Sequence, residues 1–301
     1  MTKSKKLRSR IDAVFKRLAK GALLPRDVVS SNDLKVRSSP HWIESVFEKK
    51  QVLEEDAKVF RRFTAEMGTI LDVGAHWGYM AMSIRLTGTN CPIISFEALN
   101  AHKQCLQRLK ELDEVGYDFR IIAISDRINN VTLYGPVVNG CAITGLNSIN
   151  GSIFHGDWYA IYLTKLAISQ VPISPDYRFQ LLESRIRCRP LDALLRQSKF
   201  SVPVDKIAAI KIDVEGHELE VLEGAKKTII RDLPFIMTEA GNRVSSVAAF
   251  MRTHGYLFAF RNEDQIVQSM AKTREVNGYW FHSKRKDEYM QMGFLTQLNT
   301  K

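Results

Sequence analysis

The sequence predicts an α/β fold: an open, Rossmann-like, mostly parallel sheet with helices on both faces. Five apolar runs carry that expectation first, because each ends in a carboxylate. They are Ile70-Leu-Asp72, Pro92 to Glu97, Phe119 to Asp126, Ile207 to Asp213 and Pro234 to Glu239. Ligands of such sheets bind beyond the carboxyl ends of the strands, where polar groups collect. The first run also passes into a glycine turn, Asp72-x-Gly74-x-x-x-Gly78, and straight on into a helical pattern. Segments with apolar residues at helical spacing separate the runs, as βα units require.

The elements follow in chain order. Residues 1–40 are a basic leader with eleven Lys or Arg against three Asp, a net +8 of the chain's +10. Ile11, Val14, Phe15, Leu18 and Ala22 fall at helical spacing, with Lys16, Arg17 and Lys20 off that stripe. A basic amphipathic helix over residues 1–24 can rest on an anionic membrane surface; the competing reading packs the stripe on the domain. The rest of the chain is almost neutral, which argues against nucleic acid as a partner. The main domain is expected over 41–284. Trp42 to Phe63 reads as helix, followed by a strand near 68–74, a helix from Gly78 to Leu86 and a strand at 91–97. A helix near 100–112 places Cys105, Leu106, Leu109 and Leu112 on one face. A strand at 118–125 and a short extended run, Val131 to Tyr134, come next. Residues 135–186 break the alternation. They are rich in Gly, Asn, Ser and Thr at first, then aromatic and apolar from Ile153 to Leu163. A loop-rich insertion of that length is usually functional and reads as a substrate lid.

The alternation resumes with the strand at 207. Leu219, Leu222, Ala225 and Ile229 form the next helical stripe, and Val244 to His254 a further helix, ended by Gly255 in a left-handed cap. Tyr256 to Phe260 and Gly278 to His282 would pair as a hairpin, adding one antiparallel strand. Residues 285–301 are expected as a tail. No segment approaches the roughly 18 apolar residues of a membrane span. Cys91, Cys105, Cys141 and Cys188 lack metal-ligand spacing and suit a reducing compartment, so a cytoplasmic location is expected, with the leader allowing contact with the inner membrane face.

The turn at 72–78 suggests a ligand. Gly74 and Gly78 let the backbone pass tightly beneath one, and the helix behind them offers free N–H groups. The spacing departs from the dinucleotide fingerprint: one acid precedes only two glycines, and His76 stands between them. A carboxylate there repels a pyrophosphate and favours a ligand with a cationic part. S-adenosylmethionine, with its sulfonium and ammonium, is such a ligand. Glu97, 25 residues beyond Asp72, is placed to accept hydrogen bonds from ribose hydroxyls or to cap the helix near Asn100. Ser125 and Asp126 end the third run where an adenine would lie. The expected cofactor set is therefore Asp72, Gly74, Ala75, His76, Gly78, Glu97, Ser125 and Asp126.

Asp-Val-Gly-Ala-His-Trp-Gly at 72–78, Phe96-Glu97, Ala123-Ile-Ser-Asp126, Leu191-Asp192 and Ile210-Lys-Ile-Asp-Val-Glu-Gly-His-Glu-Leu219 occur in an order that resembles FkbM-type methyltransferases. The resemblance covers about residues 50–284. It implies a seven-stranded S-adenosylmethionine-binding sheet and methyl transfer to a hydroxyl oxygen, often of a sugar or polyketide. The family usually has Asn in place of His76 and Pro soon after the strand-two acid, where this chain has Ala98-Leu99.

Methyl transfer is an in-line displacement, so the protein chiefly positions donor and acceptor; a hydroxyl acceptor must also lose a proton. Asp213, His217 and Glu239 are the catalytic candidates, with Asp213 at the tip of the fourth strand the best placed. Its competing role is a helix cap. Asp213, Glu239 and Asn242 together could hold a divalent cation, the less favoured arrangement. The alternatives in function are a nicotinamide-dependent oxidoreductase and a non-catalytic S-adenosylmethionine-binding module.

Overall fold

The computed structural model describes residues 27–29, 35–36, 40–49, 54–138, 141–142, 147–149, 179–239, 244–268 and 277–297. The Ile11–Ala22 stripe, the aromatic run of the insertion and Asn242 lie outside them. The chain divides into two compact units, Met1–Arg37 with Val131–Arg185 and Ser38–Asn130 with Ile186–Lys301.

In the second unit the five apolar runs become β1 (Thr69–Val73), β2 (Ile93–Glu97), β3 (Tyr117–Ile121), β4 (Ile207–Ile212) and β5 (Phe235–Glu239). They lie parallel in the order β5-β4-β1-β2-β3. Four more strands extend the sheet beyond β5: β6 (Tyr256–Asn262), β7 (Gln265–Gln268), β8 (Asn277–His282) and β9 (Leu295–Gln297), in the order β9-β7-β6-β8-β5. β8 is antiparallel to both β5 and β6, β7 is antiparallel to β6, and β9 is parallel to β7.

Among the described residues the sheet thus has nine strands instead of the expected seven, and β7, β8 and β9 all run against the rest where one such strand was expected. β7 and β9 are four and three residues long, too short for alternation to register in the sequence. β6 and β8 do pair, but the hairpin turn of β6 leads into β7. The third apolar run divides: β3 stops at Ile121, and Ala123–Ile124 pairs instead with Cys188–Arg189. Residues expected as a tail form a helix at Lys286–Gln291 and then β9, and Tyr289 and Phe294 are fully buried.

Strand alternation separates two cores. Ile70, Ile93, Ala209 and Met237 face one side, packed with Phe60 and Phe63 from a 3₁₀ segment at Glu55–Arg62. The same side receives α1 (Tyr79–Leu86), through Met82 and Ile84, and α2 (Lys103–Leu112), through Leu106 and Leu109. Leu71, Ile94, Ile210 and Ile236 face the other side, covered by Leu191–Gln197 and by α3 (Glu218–Gly224), α4 (Lys226–Asp232) and α5 (Val244–Thr253). The expected helix at 42–63 is two pieces, Pro40–Lys49 and the 3₁₀ segment. Cys91, Cys105 and Cys188 are buried free thiols.

In the first unit, Asp27–Val29 pairs in parallel with Gln180–Leu182, Lys35–Val36 pairs with Cys141–Ala142, and Val137–Val138 runs antiparallel to Cys141–Ala142.

Candidate active site

The chain leaves β1 over one face and leaves the adjacent β4 over the other. That divergence opens a crevice beyond their carboxyl ends, the topological switch point where ligands of open α/β sheets bind. The polar residues there fall on every second strand position and share one face: Asp72 on β1, Ser95 and Glu97 on β2, Lys211 on β4 with Asp213 just past it, and Glu239 on β5.

Asp72 is wholly buried. Ser95 Oγ donates to its Oδ2 at 3.2 Å, and Lys211 Nζ lies 3.2 Å from its Oδ1. Lys211 also donates to the Gly74 carbonyl at 2.9 Å and lies 3.6 Å from Asp213 Oδ2. Burial alone would lower the Lys211 ammonium, but Asp72 and Asp213 more than offset it and hold it above its usual range. The Asp72 carboxylate therefore spends its charge on a lysine inside the protein. The lysine was visible in Ile-Ala-Ala-Ile-Lys-Ile as a cation at an inward strand position, and a buried lysine demands a partner.

The glycines serve packing. Gly74 has φ 79° and Gly78 φ 90°, values that L side chains avoid. A Cβ on Gly74 would fall on the carbonyl oxygen of Asp213, and one on Gly78 would lie 2.8 Å from Leu109 Cδ2. Gly74 N–H and Ala75 N–H both donate to the Phe96 carbonyl, at 3.0 and 3.1 Å. The turn is thereby pressed against the end of β4 and tied to β2.

His76 adopts φ 55°, and its backbone N–H donates to Glu97 Oε2 at 2.7 Å; Leu99 N–H donates to Oε1 at 2.8 Å. Burial lifts the Glu97 carboxyl to about 7, Asp72 adds to the rise, and the two backbone donors and Lys211 oppose it. Each carboxylate oxygen keeps a second lone pair for a ligand hydroxyl. The His76 ring lies 4.4 Å from that of His102. Burial, then His102 and Lys211, hold the His76 imidazole far below its usual range, and burial lowers His102 to about 4. Both rings are neutral at pH 7.

Asp213, nearly half exposed, and the exposed Glu215 join Glu239 on the rim: one carboxylate oxygen from each lies within 4.8 Å of the others. Three carboxylates so placed can receive a cationic group or a divalent ion. Glu54, from the chain entering the 3₁₀ segment, is raised by burial, Asp56 and Asp213, with Lys211 opposing; no motif announced it. His217 sits elsewhere, its Nε2 3.0 Å from Ser125 Oγ, and Ser125 Oγ is 3.0 Å from Asp126 Oδ1. The candidates thus form three groups: Asp72, Asp213 and the Gly74, Ala75 and Gly78 turn around Lys211, with Glu239 beside Asp213 on the rim; His76 with Glu97; and His217 with Ser125 and Asp126.

A protein family described as the methyltransferase FkbM domain matches residues 72–258. Among solved structures, a methyltransferase FkbM from Methylobacillus flagellatus KT is 14% identical at a TM-score of 0.40, the match covering 73% of this chain and 44% of that one. A protein described as an RNA methyltransferase from Pyrococcus horikoshii is 12% identical at a TM-score of 0.34, over 83% of this chain and 93% of that one. A comparison with curated proteins returns no match.

Proposed function

The chain belongs to the FkbM methyltransferase family, and we propose that it moves a methyl group from S-adenosylmethionine to a hydroxyl oxygen of a sugar in a glycan or glycolipid precursor. The observation that carries this reading is the pairing at the switch point of a Glu97 carboxylate, fixed by two backbone donors, with a rim of three carboxylates past β4 and β5. The first suits ribose hydroxyls and the second a cationic amino acid portion, so the donor set fits the two ends of S-adenosylmethionine. When bound, that cofactor supplies an electrophilic methyl on a sulfonium.

The chain's residues then have distinct tasks. Glu97 orients the ribose. Asp72 and Lys211 do not touch the cofactor's charge; they brace the Gly74 turn against the Asp213 loop. Glu215 and Glu239 offset positive charge at the rim. Asp213 takes the proton from the acceptor hydroxyl, being exposed enough to reach it and ion-paired to Lys211 from behind. The same three carboxylates are the place where a divalent ion would sit, and chelation decides between the two uses. The basic leader is proposed to hold the enzyme against an anionic membrane, which suits an acceptor carried on a lipid. Among the described residues no helix is long and apolar enough to cross a membrane.

Titration calorimetry with S-adenosylhomocysteine and with nicotinamide dinucleotide tests the cofactor. Transfer of labelled methyl to a panel of sugars and glycans tests the acceptor. Binding of the dinucleotide alone, or label found only on nitrogen, would sink the reading.

A further inference from the structure

Histidine is the side chain most often used as a general base, yet the surroundings of His217 assign it other work. It stands at the start of α3, with Nε2 3.0 Å from Ser125 Oγ and Nδ1 3.3 Å from Glu220 Oε2. Ser125 has one hydroxyl proton, and Ser125 Oγ donates it to Asp126 Oδ1 at 3.0 Å. The hydroxyl oxygen must then accept, so His217 Nε2 bears the N–H. A nitrogen donating to Ser125 has no lone pair to take a proton from an acceptor.

The hydrogen bonds run from His217 through Ser125 to Asp126, with Glu220 close to the far side of the ring. Ser125 is 1% exposed and cannot meet a ligand, whereas Asp126 is exposed. Arg127 Nε is 3.5 Å from the same Oδ1 of Asp126, so Oδ2 is the oxygen left to accept from a ligand. The segment stands beside the ribose site, because Ile122 N–H donates to the Glu97 carbonyl at 2.7 Å. α3 lies directly on it: a Cβ on Gly224 would overlap the Ser125 carbonyl oxygen.

We propose that His217 is a positioning residue for purine recognition, acting through Ser125 to aim Asp126 at the exocyclic amino group of the cofactor's adenine. The proposal rests on the S-adenosylmethionine reading above. An aimed carboxylate accepts from an amino group and repels the oxygen of an oxo-purine, so the device selects adenosyl over inosyl ligands.

The test is calorimetry of the full chain with S-adenosylhomocysteine and S-inosylhomocysteine. The wild type should prefer the adenosyl compound at least about tenfold. His217→Ala should reduce that preference to about twofold or less, and His217→Gln, whose amide N–H can replace Nε2–H, should keep most of it. Asp126→Asn should reverse it, since the amide donates to an oxo group. Equal weakening of both ligands in His217→Ala, or no weakening, overturns the proposal. If that variant does not fold, Asp126→Asn decides, and an unchanged preference overturns it. A wild type that binds S-adenosylhomocysteine without preference defeats the proposal alone; one that binds neither compound defeats the cofactor reading as well.

Discussion

Lys211 Nζ stands 3.2 Å from Asp72 Oδ1, with both side chains almost wholly out of water. A buried pair recovers its desolvation cost only while both charges are present. Breaking it strands a charge at about 3–5 kcal/mol, whereas removing both charges together is often close to neutral. Lys211→Met should therefore lower stability to chemical unfolding by that amount, and adding Asp72→Asn should restore most of it. Additive losses in the double variant would mean that the two groups do not act as a pair.

The glycine turn should respond through packing. Gly78→Ala forces φ 90° on a side chain and crowds Leu109. It should cost about 1–2 kcal/mol and lower the melting temperature by several degrees. S-adenosylhomocysteine affinity, measured well below the new melting point, should change less than threefold. A lost affinity with an unmoved melting curve would return Gly78 to the ligand.

Asp213→Asn keeps the side chain's shape and removes its charge. Turnover should fall about 10²–10⁴-fold, with S-adenosylhomocysteine affinity far less affected. Steady-state rates alongside calorimetry separate the two effects. Equal turnover would leave Asp213 a loop residue, and wild-type activity lost on chelation and restored by Mg²⁺ would assign the rim carboxylates to a cation.

Much of this arrangement could be read from the sequence, because apolar runs closing on carboxylates report strand ends directly. Asp72, Glu97, Asp213 and Glu239 stand at those ends. What each one touches was hidden. The Asp72 ion pair was hidden because its partner, Lys211, is 139 residues away in sequence and adjacent only in the sheet register. The packing of Gly78 against the leucines of α2 was hidden for a like reason, since they meet only once α2 is docked. The departure of Ala123–Ile124 from the sheet follows from pairing with a strand some 65 residues on, which no local pattern encodes.

The proposed ribose role of Glu97 carries a pH dependence. Its ordinary value is 4.5 and its folded value about 7, so the folded chain binds the proton more tightly than the unfolded one. That contribution is complete below about pH 4.5 and is lost as pH rises through about 7. Ribose hydroxyls donate to the ionised form. S-adenosylhomocysteine should therefore bind more tightly at about pH 8 than at about pH 6 and release a proton near neutrality. Calorimetry in buffers of different ionisation enthalpy measures that proton, and Glu97→Gln should abolish the release. A release unchanged in Glu97→Gln would place the titration elsewhere.

Removing residues 1–40 takes away +8 of the formal charge. The truncated chain should keep S-adenosylhomocysteine binding and lose co-sedimentation with anionic liposomes, an attraction worth about 1 kcal/mol per basic residue that fades with salt. A lowered melting temperature with no liposome effect would show that the leader packs on the domain.

Gly74 leaves no room between its own backbone and the carbonyl of Asp213, so on the proposed reading the floor under a methyl donor and the ledge facing its acceptor are one mechanical part. Neither can be retuned alone: a change in the 213–217 loop that shifts that carbonyl jams the donor turn, and a bulkier turn displaces the loop. Variation in acceptor choice is thereby channelled away from the floor. On that reading it falls to residues off the turn, such as Glu54 with its neighbour Tyr79 and Glu239 with its strand partner Asn277, where a substitution leaves the contact between Gly74 and Asp213 intact.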